Sequence, residues 1–365
     1  MADFIPGLRL SELFYREAVR PILDAEFPGL PHSAALIGSG SEVLGFDTAL
    51  STDHHWGPRL LLFLDERDFE RYRDPIHATL SLRLPRTFHE YPTNFTPPDP
   101  ADNGTQQLQP NDTGPINHRV ELLTAPAFFR EYLAFDIQGD IELADWLTFP
   151  EQKLGTITAG AVYHDGVGLQ AVRDRLAYYP RDVWLYLLAA GWARIGQEEH
   201  LMGRAGLAGD EIGSALIGSR LVRDLMRLCF LMERRYAPYP KWFGTAFTRL
   251  ACAADLSPML RRALRAETWP DRERHLCAAY GIVAALHNTL NITEALSANV
   301  SPFFNRPFQV IHADRFAAAI VARISDLVVK RLAERRLIGG VDQFSDSTDL
   351  LSDPVWRPML RKLYT

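Results

Sequence analysis

The stretch LIGSGSEVLGFDTALSTDHHWGPRLLLFL, Leu36–Leu64, decides how the rest of the chain is interpreted. A short apolar run, Ala34–Ile37, leads into Gly38-Ser39-Gly40-Ser41, and a polar segment follows. Trp56-Gly57-Pro58-Arg59 then opens a second apolar run that ends at Leu64. This pattern predicts a strand, a glycine-serine loop, a short helix, an acidic turn and a second strand.

The glycine-serine loop has the residue types that suit a phosphate ligand. Gly38 and Gly40 let the backbone come close to a ligand because they carry no Cβ. The hydroxyls of Ser39 and Ser41 add donors, and amides at the start of the predicted short helix would face phosphate oxygens. Asp53, just before the second strand, offers a carboxylate for a hard cation such as Mg²⁺. Phosphoryl or nucleotidyl transfer needs this pairing of a phosphate cradle with a metal.

Composition limits the classes of protein that remain. The chain has 365 residues, enough for two domains, and 47% hydrophobic with 23% charged residues is ordinary globular composition. A net charge of −6 argues against a general nucleic-acid-binding surface. No apolar run reaches the ~20 residues of a membrane span, and the first residues do not resemble a signal peptide. We expect a cytoplasmic protein without a membrane partner.

The chain changes character near Gly168. Before it, short apolar strands alternate with helices such as Leu10–Asp24 and Glu66–Leu84. After it, Ala-, Leu- and Arg-rich segments follow helical periodicity. We therefore expect an α+β protein, with a small mixed sheet in residues 1–168 and an all-helical domain in residues 169–365, and a site in the cleft between them. The predicted C-terminal helices are Arg181–Gln197, Gly209–Tyr236, Trp242–Asp255, Pro258–Thr268, Pro270–Leu290 and Ala313–Arg336.

Three further strands and one long loop complete the predicted N-terminal domain. The strands are Arg86–Tyr91, Asn117–Leu123 and Thr156–Tyr163. In the second of them, His118, Val120 and Leu122 share one face, and Arg119, Glu121 and Leu123 share the other. Residues 92–115 are rich in Pro, Asn, Asp, Gly and Thr, which predicts a mobile loop. The loop is either a surface excursion or a flap over the site.

Three groups of residues in the second half admit a functional and a structural interpretation. Arg220, Arg223, Asp224 and Arg227 share a helix face, which either is ion-paired or directs an arginine such as Arg223 at a triphosphate. Tyr236–Trp242, with Lys241, either stacks a base and contacts a phosphate or forms a rigid corner. Gln197–His200 either meets a cationic acceptor and supplies a general base, or is a solvated helix end.

The stretch resembles the signature of the polymerase-beta-like nucleotidyltransferases, in which a Gly-Ser pair precedes Asp-x-Asp or Asp-x-Glu at a strand. Gly38-Ser39 and Asp53-His54-His55 occupy those places. GSGSEVLGFDT…STDHHWGPR resembles more narrowly an uncharacterised nucleotidyltransferase-like family, a domain of unknown function, with Asp-His-Asp in many members. The resemblance extends to RLVRDLMRLCFLMERRYAPYPKW and VDQFSDSTD. It implies a helical C-terminal domain that completes the nucleotide and acceptor pocket, as in aminoglycoside nucleotidyltransferases.

The resemblance also assigns roles to single residues. His55 stands in the place of the second metal carboxylate, and a neutral imidazole ligates Mn²⁺ or Zn²⁺ but is a poor ligand for Mg²⁺. A third carboxylate is implied on a later strand, where Glu121 is either that ligand or an ion-paired glutamate. A zinc site lacks HExxH or CxxC, and neither a hydrolase nucleophile elbow nor a P-loop matches the glycines.

Two functions remain open. In the first, Gly38–Ser41, Arg223 and Lys241 hold a nucleoside triphosphate, such as ATP, and the catalytic residues are Asp53, His55 and Glu121. Asp53 and Glu121 hold Mg²⁺ or Mn²⁺, and His55 is either a weak ligand of that metal or a base. A nucleoside monophosphate is then transferred to an unknown acceptor, which is a small molecule, a protein or an RNA end. In the second, a degenerate nucleotidyltransferase binds a nucleotide or a partner without transfer. His55 favours the second function and Asp53 favours the first.

Overall fold

The computed structural model describes residues 4–53, 55–102, 104–335 and 337–365. His54 of the predicted triplet, Asn103 of the predicted loop and Arg336 at a predicted helix end lie outside this part of the chain. The strands are β1 Ser33–Leu36, β2 Arg59–Phe63, β3 Thr87–Phe88, β4 Tyr91–Pro92, β5 Arg119–Leu123, β6 Ala161–Asp165, β7 Ser301–Pro302 and β8 Gln309–Val310.

Helices make up most of the regular structure, so the predicted α+β class is confirmed. In the first half they are α1 Gly7–Phe14, α2 Arg20–Glu26, α3 Glu66–Arg83, α4 Ala125–Leu133, α5 Leu143–Thr148, α6 Glu151–Thr158 and α7 Leu169–Asp174. The long helices of the second half are α8 Arg181–Leu207, α9 Glu211–Met232, α10 Pro240–Phe247, α11 Ala253–Arg265 and α12 Trp269–Thr289. They are followed by α13 Ala313–Val321, α14 Leu327–Ala333, α15 Val341–Phe344, α16 Thr348–Ser352 and α17 Arg357–Leu360. A π-helical turn, Tyr15–Val19, joins α1 to α2, and 3₁₀ turns lie at Ala49–Asp53, Pro354–Trp356 and Arg361–Leu363.

The chain divides into two compact units that alternate along the sequence. The first unit comprises the residues up to Asp140 together with Lys153–Ala177. The second unit comprises Ile141–Gln152 and Tyr178–Thr365. Among the described residues, no helix is both long enough and apolar enough to cross a bilayer.

The first unit is built on a four-stranded sheet in the order β5-β2-β1-β6. β1 is antiparallel to both β2 and β6, and β2 is parallel to β5 with Arg59 opposite Arg119. One face of the sheet carries Leu60, Leu62 and Val120, which are buried in a core with the N-terminal helices and α3. Because side chains alternate along a strand, Arg59, Arg119 and Glu121 belong to the opposite face.

The second unit is a helical assembly to which α8, α9 and α12 contribute the longest members. Large side chains at its centre are fully buried, among them Trp192 of α8, Tyr280 of α12 and Phe316 of α13. The Trp192 and Phe316 rings stack with centroids 4.3 Å apart. A two-stranded hairpin, β7–β8, precedes α13.

One predicted strand is wrong in its first half. The predicted strand Thr156–Tyr163 is instead the end of α6 followed by β6. The β-branched residues that suggested a strand satisfy their hydroxyls inside the helix, where Thr158 donates to the Leu154 carbonyl at 2.8 Å. Gly160, at φ +51°, then turns the chain into the strand.

Side chains far away in sequence divide the predicted helix Ala313–Arg336. It consists of α13 and α14, and the break lies between residues 321 and 327. Asp326 caps α14 by accepting hydrogen bonds from the amides of Val328 and Val329. Asp182 of α8 accepts from the Ser325 amide at 2.7 Å and from the Asp326 amide at 2.5 Å.

The predicted strand Arg86–Tyr91 is a tight hairpin of two short strands. β3 and β4 pair in an antiparallel manner, and His89 and Glu90 between them both have left-handed backbone, at φ +45° and +68°. The two residues therefore form a two-residue reversal instead of continuing an extended run.

Candidate functional site

Three segments meet at one end of the four-stranded sheet in the first unit. β2 begins at Arg59 and β5 begins at Arg119, and these two residues are partners in the parallel register. The loop after β1 lies at the same end because β1 runs antiparallel to β2. We call this region the sheet end, comprising Gly38–Glu42, Arg59, Arg119, Glu121 and the segment 53–55 where it is described.

The glycine-serine loop is fixed at its base and open at its tip. The Gly38 amide donates to the Thr156 carbonyl at 3.1 Å, and Gly38 and Gly40 have φ values of +85° and +143°. Within the described part of the chain, the amides of Ser39, Gly40 and Ser41 have no hydrogen-bond acceptor. Ser39 is exposed and its hydroxyl bonds to Tyr132, whose pKa is raised by burial. Successive amides without acceptors are a receptor for an anion.

A turn follows the loop where a short helix was predicted. Residues 41–45 form hydrogen-bonded turns, with the Gly45 amide donating to Glu42 and the Phe46 amide donating to Ser41. The predicted helix start is therefore wrong. A phosphate at this site would be held by the loop amides and not by a helix dipole.

A buried ion pair between Arg59 and Glu42 contacts the backbone of the glycine-serine loop. The Arg59 guanidinium donates from Nε to Glu42 Oε1 at 2.8 Å and from Nη2 to the Ser39 carbonyl at 2.7 Å. The side chains of Arg59 and Glu42 are only 9% and 5% exposed. A Cβ at Gly40 would lie 2.6 Å from a Glu42 oxygen and 2.7 Å from Arg59 Nη2, so this position requires glycine.

Asp53 and His55 precede the second strand and are not part of it. Asp53 is the exposed last residue of the 3₁₀ turn Ala49–Asp53, and β2 begins only at Arg59. Gly57, at φ +141°, and Pro58 separate these residues from the strand. Strand alternation therefore does not fix how the side chains of Asp53 and His55 are oriented relative to each other.

Arg119 joins two of the predicted metal ligands. Its Nη1 lies 2.8 Å from His55 Nδ1, and its Nη2 donates to Glu121 Oε1 at 2.8 Å. Since a guanidinium only donates, His55 Nδ1 is the acceptor and the ring proton of a neutral His55 lies on Nε2. Glu121 is thus ion-paired, as one interpretation of the sequence anticipated.

Arg119 lies between two of the three residues predicted to hold a divalent metal. Among the described residues, no three His, Cys, Asp or Glu side chains are grouped to hold a metal ion. His55 and Glu121 come together around a guanidinium, which already supplies positive charge between them. Mg²⁺ also prefers oxygen ligands to imidazole.

The predicted loop at residues 92–115 borders the sheet end. The His55 amide donates to the Gln106 carbonyl at 2.8 Å, and the Arg119 guanidinium lies 5.8 Å from the centroid of the Phe95 ring. Phe95 is 1% exposed and pairs with Leu108 across an isolated bridge. This end of the loop is packed against the segment that carries His55, which fits the flap interpretation. The mobility of the loop stays a prediction.

Arg223 and Lys241, the other predicted nucleotide contacts, belong to the second unit. Arg223 Nη1 donates to Asp346 at 2.6 Å and its Nε lies 3.5 Å from Asp224, so the ion-paired interpretation describes it. Lys241 is exposed in the first turn of α10, with its ammonium 5.1 Å from the Trp242 ring centroid.

The segment Tyr236–Trp242 forms a packed corner around a buried carboxylate. Tyr236 packs on Tyr178 and Tyr179, and the Ala237 amide donates to Glu151 at 3.1 Å. Burial, reinforced by the neighbouring Asp342 carboxylate, raises the pKa of Glu151 to about 7.

Gln197–His200 lies inside α8, so the interpretation as a solvated helix end is wrong. Glu198 is buried and ion-paired with Arg220. Glu199, also buried, accepts hydrogen bonds from the amides of Ile311 at 2.7 Å and Ala313 at 3.0 Å.

Comparison with known proteins finds similarity in one segment. The family model of a domain of unknown function, DUF4037, matches residues 146–243, which extend from α5 into α10. No curated protein and no solved structure matches the chain. The family match supports an uncharacterised domain, and it does not include the stretch Leu36–Leu64 on which the nucleotidyltransferase resemblance rests.

Sequence reasoning did not assign a role to Arg59, Glu42 or Arg119, although one signal was present. Arg119 and Glu121 are two residues apart on a predicted strand and must share a face. The Arg59–Glu42 pair had no comparable signal, because its members are 17 positions apart in the sequence and two turns lie between them.

Proposed function

We propose that the protein binds the phosphates of a nucleoside triphosphate at the sheet end of the first unit. The observation that carries this proposal is the loop Gly38–Ser41, whose three successive amides have no acceptor among the described residues. The supporting ion pair of Arg59 and Glu42 holds these amides in place without a ligand. A preformed donor array loses little conformational entropy on binding.

Arg119 supplies charge in this proposal. Its guanidinium is half-buried, and its two partners are an exposed carboxylate and a neutral imidazole nitrogen. Glu121 is exposed, so a phosphate can compete for the fork of donors at low cost. In this proposal, the Arg119 guanidinium supplies the positive charge for the phosphates that the superfamily resemblance assigns to a metal. Nucleotide binding without transfer is therefore the function that this geometry supports best.

Thermal denaturation with ATP, GTP, CTP and UTP, with and without Mg²⁺ or Mn²⁺, tests nucleotide binding. At ten times Kd, a nucleotide should add about 1.4 kcal/mol to the free energy of unfolding and raise Tm. Gly40→Ala should remove this increase because its Cβ would collide with Glu42 and Arg59.

Gly45→Ala is the matched control, since Gly45 also has positive φ but a Cβ there would meet open space. Gly45→Ala protein should keep the increase in Tm. No increase with any of the four nucleotides at millimolar concentration, with or without metal, would overturn the proposal.

Nucleotidyl transfer is the second candidate function. Nucleotidyl transfer is favoured by the position of Glu121 and His55, which lie at the same sheet end as the glycine-serine loop. In this reaction an acceptor hydroxyl forms a bond to the α-phosphorus and pyrophosphate leaves. Asp53, His55 and Glu121 are the residues proposed to hold Mg²⁺ or Mn²⁺, and Arg119 would have to release Glu121 first.

Mass spectrometry of reactions with nucleoside triphosphates and an acceptor panel separates the two functions. If the protein transfers, His55→Asp should increase turnover with Mg²⁺ because it restores an oxygen ligand, and native protein should prefer Mn²⁺. If native and His55→Asp protein both bind nucleotide but form no product with either Mg²⁺ or Mn²⁺, the function is binding without transfer.

A further inference from the structure

The second unit contains a cavity of about 920 Å³, which is lined in part by the segment Gln197–His200 of α8. It lies between α8, α13 and the hairpin β7–β8, and its polar or aromatic lining residues are Gln197, Glu199, His200, Phe303, Phe304, His312 and Asp314. The remaining wall is formed mainly by alanines and other apolar residues. A volume of this size is within the range of small-molecule sites.

The described residues that line the cavity include two acidic side chains. Glu199 and Asp314 are carboxylic acids, and no lysine or arginine is among the described lining residues. Burial, followed by the charge of nearby Arg204, lowers the pKa of His200, which keeps this imidazole neutral near pH 7. Among the described lining residues, an anion would therefore find no lysine or arginine to bind it and would meet the exposed carboxylate of Asp314.

Two backbone amides beside the start of α13 are also engaged. Glu199 accepts from the amides of Ile311 and Ala313, and a Cβ at Gly196 would lie 3.2 Å from the Asp314 amide. This close approach of α8 to α13 closes off the helix start, which would otherwise attract an anion.

Aromatic rings stand at the hairpin side of the cavity. Phe303 stacks on His200 with ring centroids 4.4 Å apart, and Phe304 is 4.8 Å from Phe303. Phe304 is 80% exposed and has left-handed backbone at φ +55°, a combination that costs free energy in two ways. An aromatic face attracts both the positive charge and the apolar body of an organic cation.

We propose that this cavity binds a small organic ammonium compound with an aryl or alkyl substituent. The ammonium group is placed by Asp314, an exposed residue that lines the cavity, and the apolar body lies against Phe304 and the alanines. A metal ion is a poorer occupant for two reasons. Among the described residues, no three His, Cys, Asp or Glu side chains are grouped so that they could hold a metal ion, and most of the cavity wall is apolar.

Isothermal titration of the full chain with matched compounds tests this proposal. The probes are phenethylamine and tryptamine, their neutral analogues phenethyl alcohol and tryptophol, and the anions phenylacetate and indole-3-acetate. At least one amine should bind with an affinity about tenfold higher than its alcohol, because a charge-assisted hydrogen bond is then formed. The acids should not bind.

Two substitutions locate the binding. Asp314→Asn should weaken the amine about tenfold and leave the alcohol unchanged. Phe304→Ala should weaken the amine a few-fold and, since this side chain is mostly exposed, leave Tm nearly unchanged. Asp255→Asn is the matched control, because Asp255 is also an exposed carboxylate in the first turn of a helix of the second unit and does not line the cavity.

Failure of both amines to bind, equal affinity for amines and alcohols, or loss of amine binding in Asp255→Asn as large as in Asp314→Asn would each overturn the proposal. Nucleotide binding by the first unit is measured separately, so the two proposals fail independently.

Discussion

The sheet end of the first unit and the cavity of the second unit present opposite chemistry. The sheet end offers donors, namely the amides of residues 39–41 and the guanidinium of Arg119. The cavity offers carboxylates and aromatic faces, with Asp314 and Phe304 the most exposed. The first suits an anion and the second a cation, so the overall charge of −6 says little about what either region binds.

The two regions also bury a carboxylate in different ways. Glu42 is buried against the Arg59 guanidinium, which supplies a full opposite charge. Glu199 is buried against two backbone amides, which supply dipoles only. Burial therefore dominates for Glu199 and raises its pKa to about 7. The difference predicts that the first region loses stability when the partner of its carboxylate is removed, and that the second region loses stability when pH rises.

The largest effect is expected from Arg59→Met. It leaves Glu42 buried without a counter-charge, which should lower the free energy of unfolding of the first unit by about 3–5 kcal/mol. Urea denaturation measures the loss. The double variant Arg59→Met/Glu42→Leu should recover most of it, and equal stability of the single and double variants would contradict the prediction.

In native protein, the free energy of unfolding of the second unit should fall by about 3 kcal/mol as pH rises, because the pKa of Glu199 rises from 4.5 to about 7 on folding. In Glu199→Gln protein this decrease should be absent. The folded protein favours the protonated acid, so this stability is present below pH 4.5 and is lost as pH rises through about 7. Hydrogen exchange of α8 and α13 at pH 5 and pH 8 measures it. Glu198→Gln, which breaks an ion pair with Arg220, should show no gain at pH 8.

His118 should give the first unit a pH dependence of the opposite direction. Burial lowers the pKa of His118 to about 4, and its Nδ1 accepts from the Val120 amide at 3.1 Å. The neutral ring stabilises the fold above pH 6.5, and up to about 3 kcal/mol is lost as pH falls through about 4. Hydrogen exchange of β2 and β5 should accelerate over this range in native protein. The same acceleration in His118→Gln would show that another group is responsible.

The smallest effect is expected from Glu121→Gln. Its side chain is 44% exposed, and an ion pair this accessible contributes about 0–1 kcal/mol. Stability should change little, whereas nucleotide affinity should increase because Arg119 is released for phosphate. Fluorescence titration with a labelled ATP analogue measures the affinity. Weaker binding in Glu121→Gln would favour a metal-holding role for Glu121 and hence the transfer function.

Local patterns were sufficient for much of the fold. The helix predicted at Glu66–Leu84 is α3, Glu66–Arg83, and the alternation predicted for residues 118–123 places Val120 in the core and Glu121 on the open face. Such patterns work because helix and strand periodicity reports which side of an element is buried. They failed at Thr156–Tyr163, where the full burial of Leu154 and Ile157 on α6 overrides local β propensity.

The sequence by itself determined the α+β class, the glycine positions of the glycine-serine loop and the helical second half, because these depend on neighbouring residues. Only the tertiary structure decided which charges meet. It paired Arg59 with Glu42 and placed Arg119 between His55 and Glu121. It also separated α13 from α14 with Asp182, 143 positions before Ser325. Ion pairs and hydrogen bonds of this kind join residues distant in sequence, and the free energy of burying a charge depends on partners that no local pattern contains.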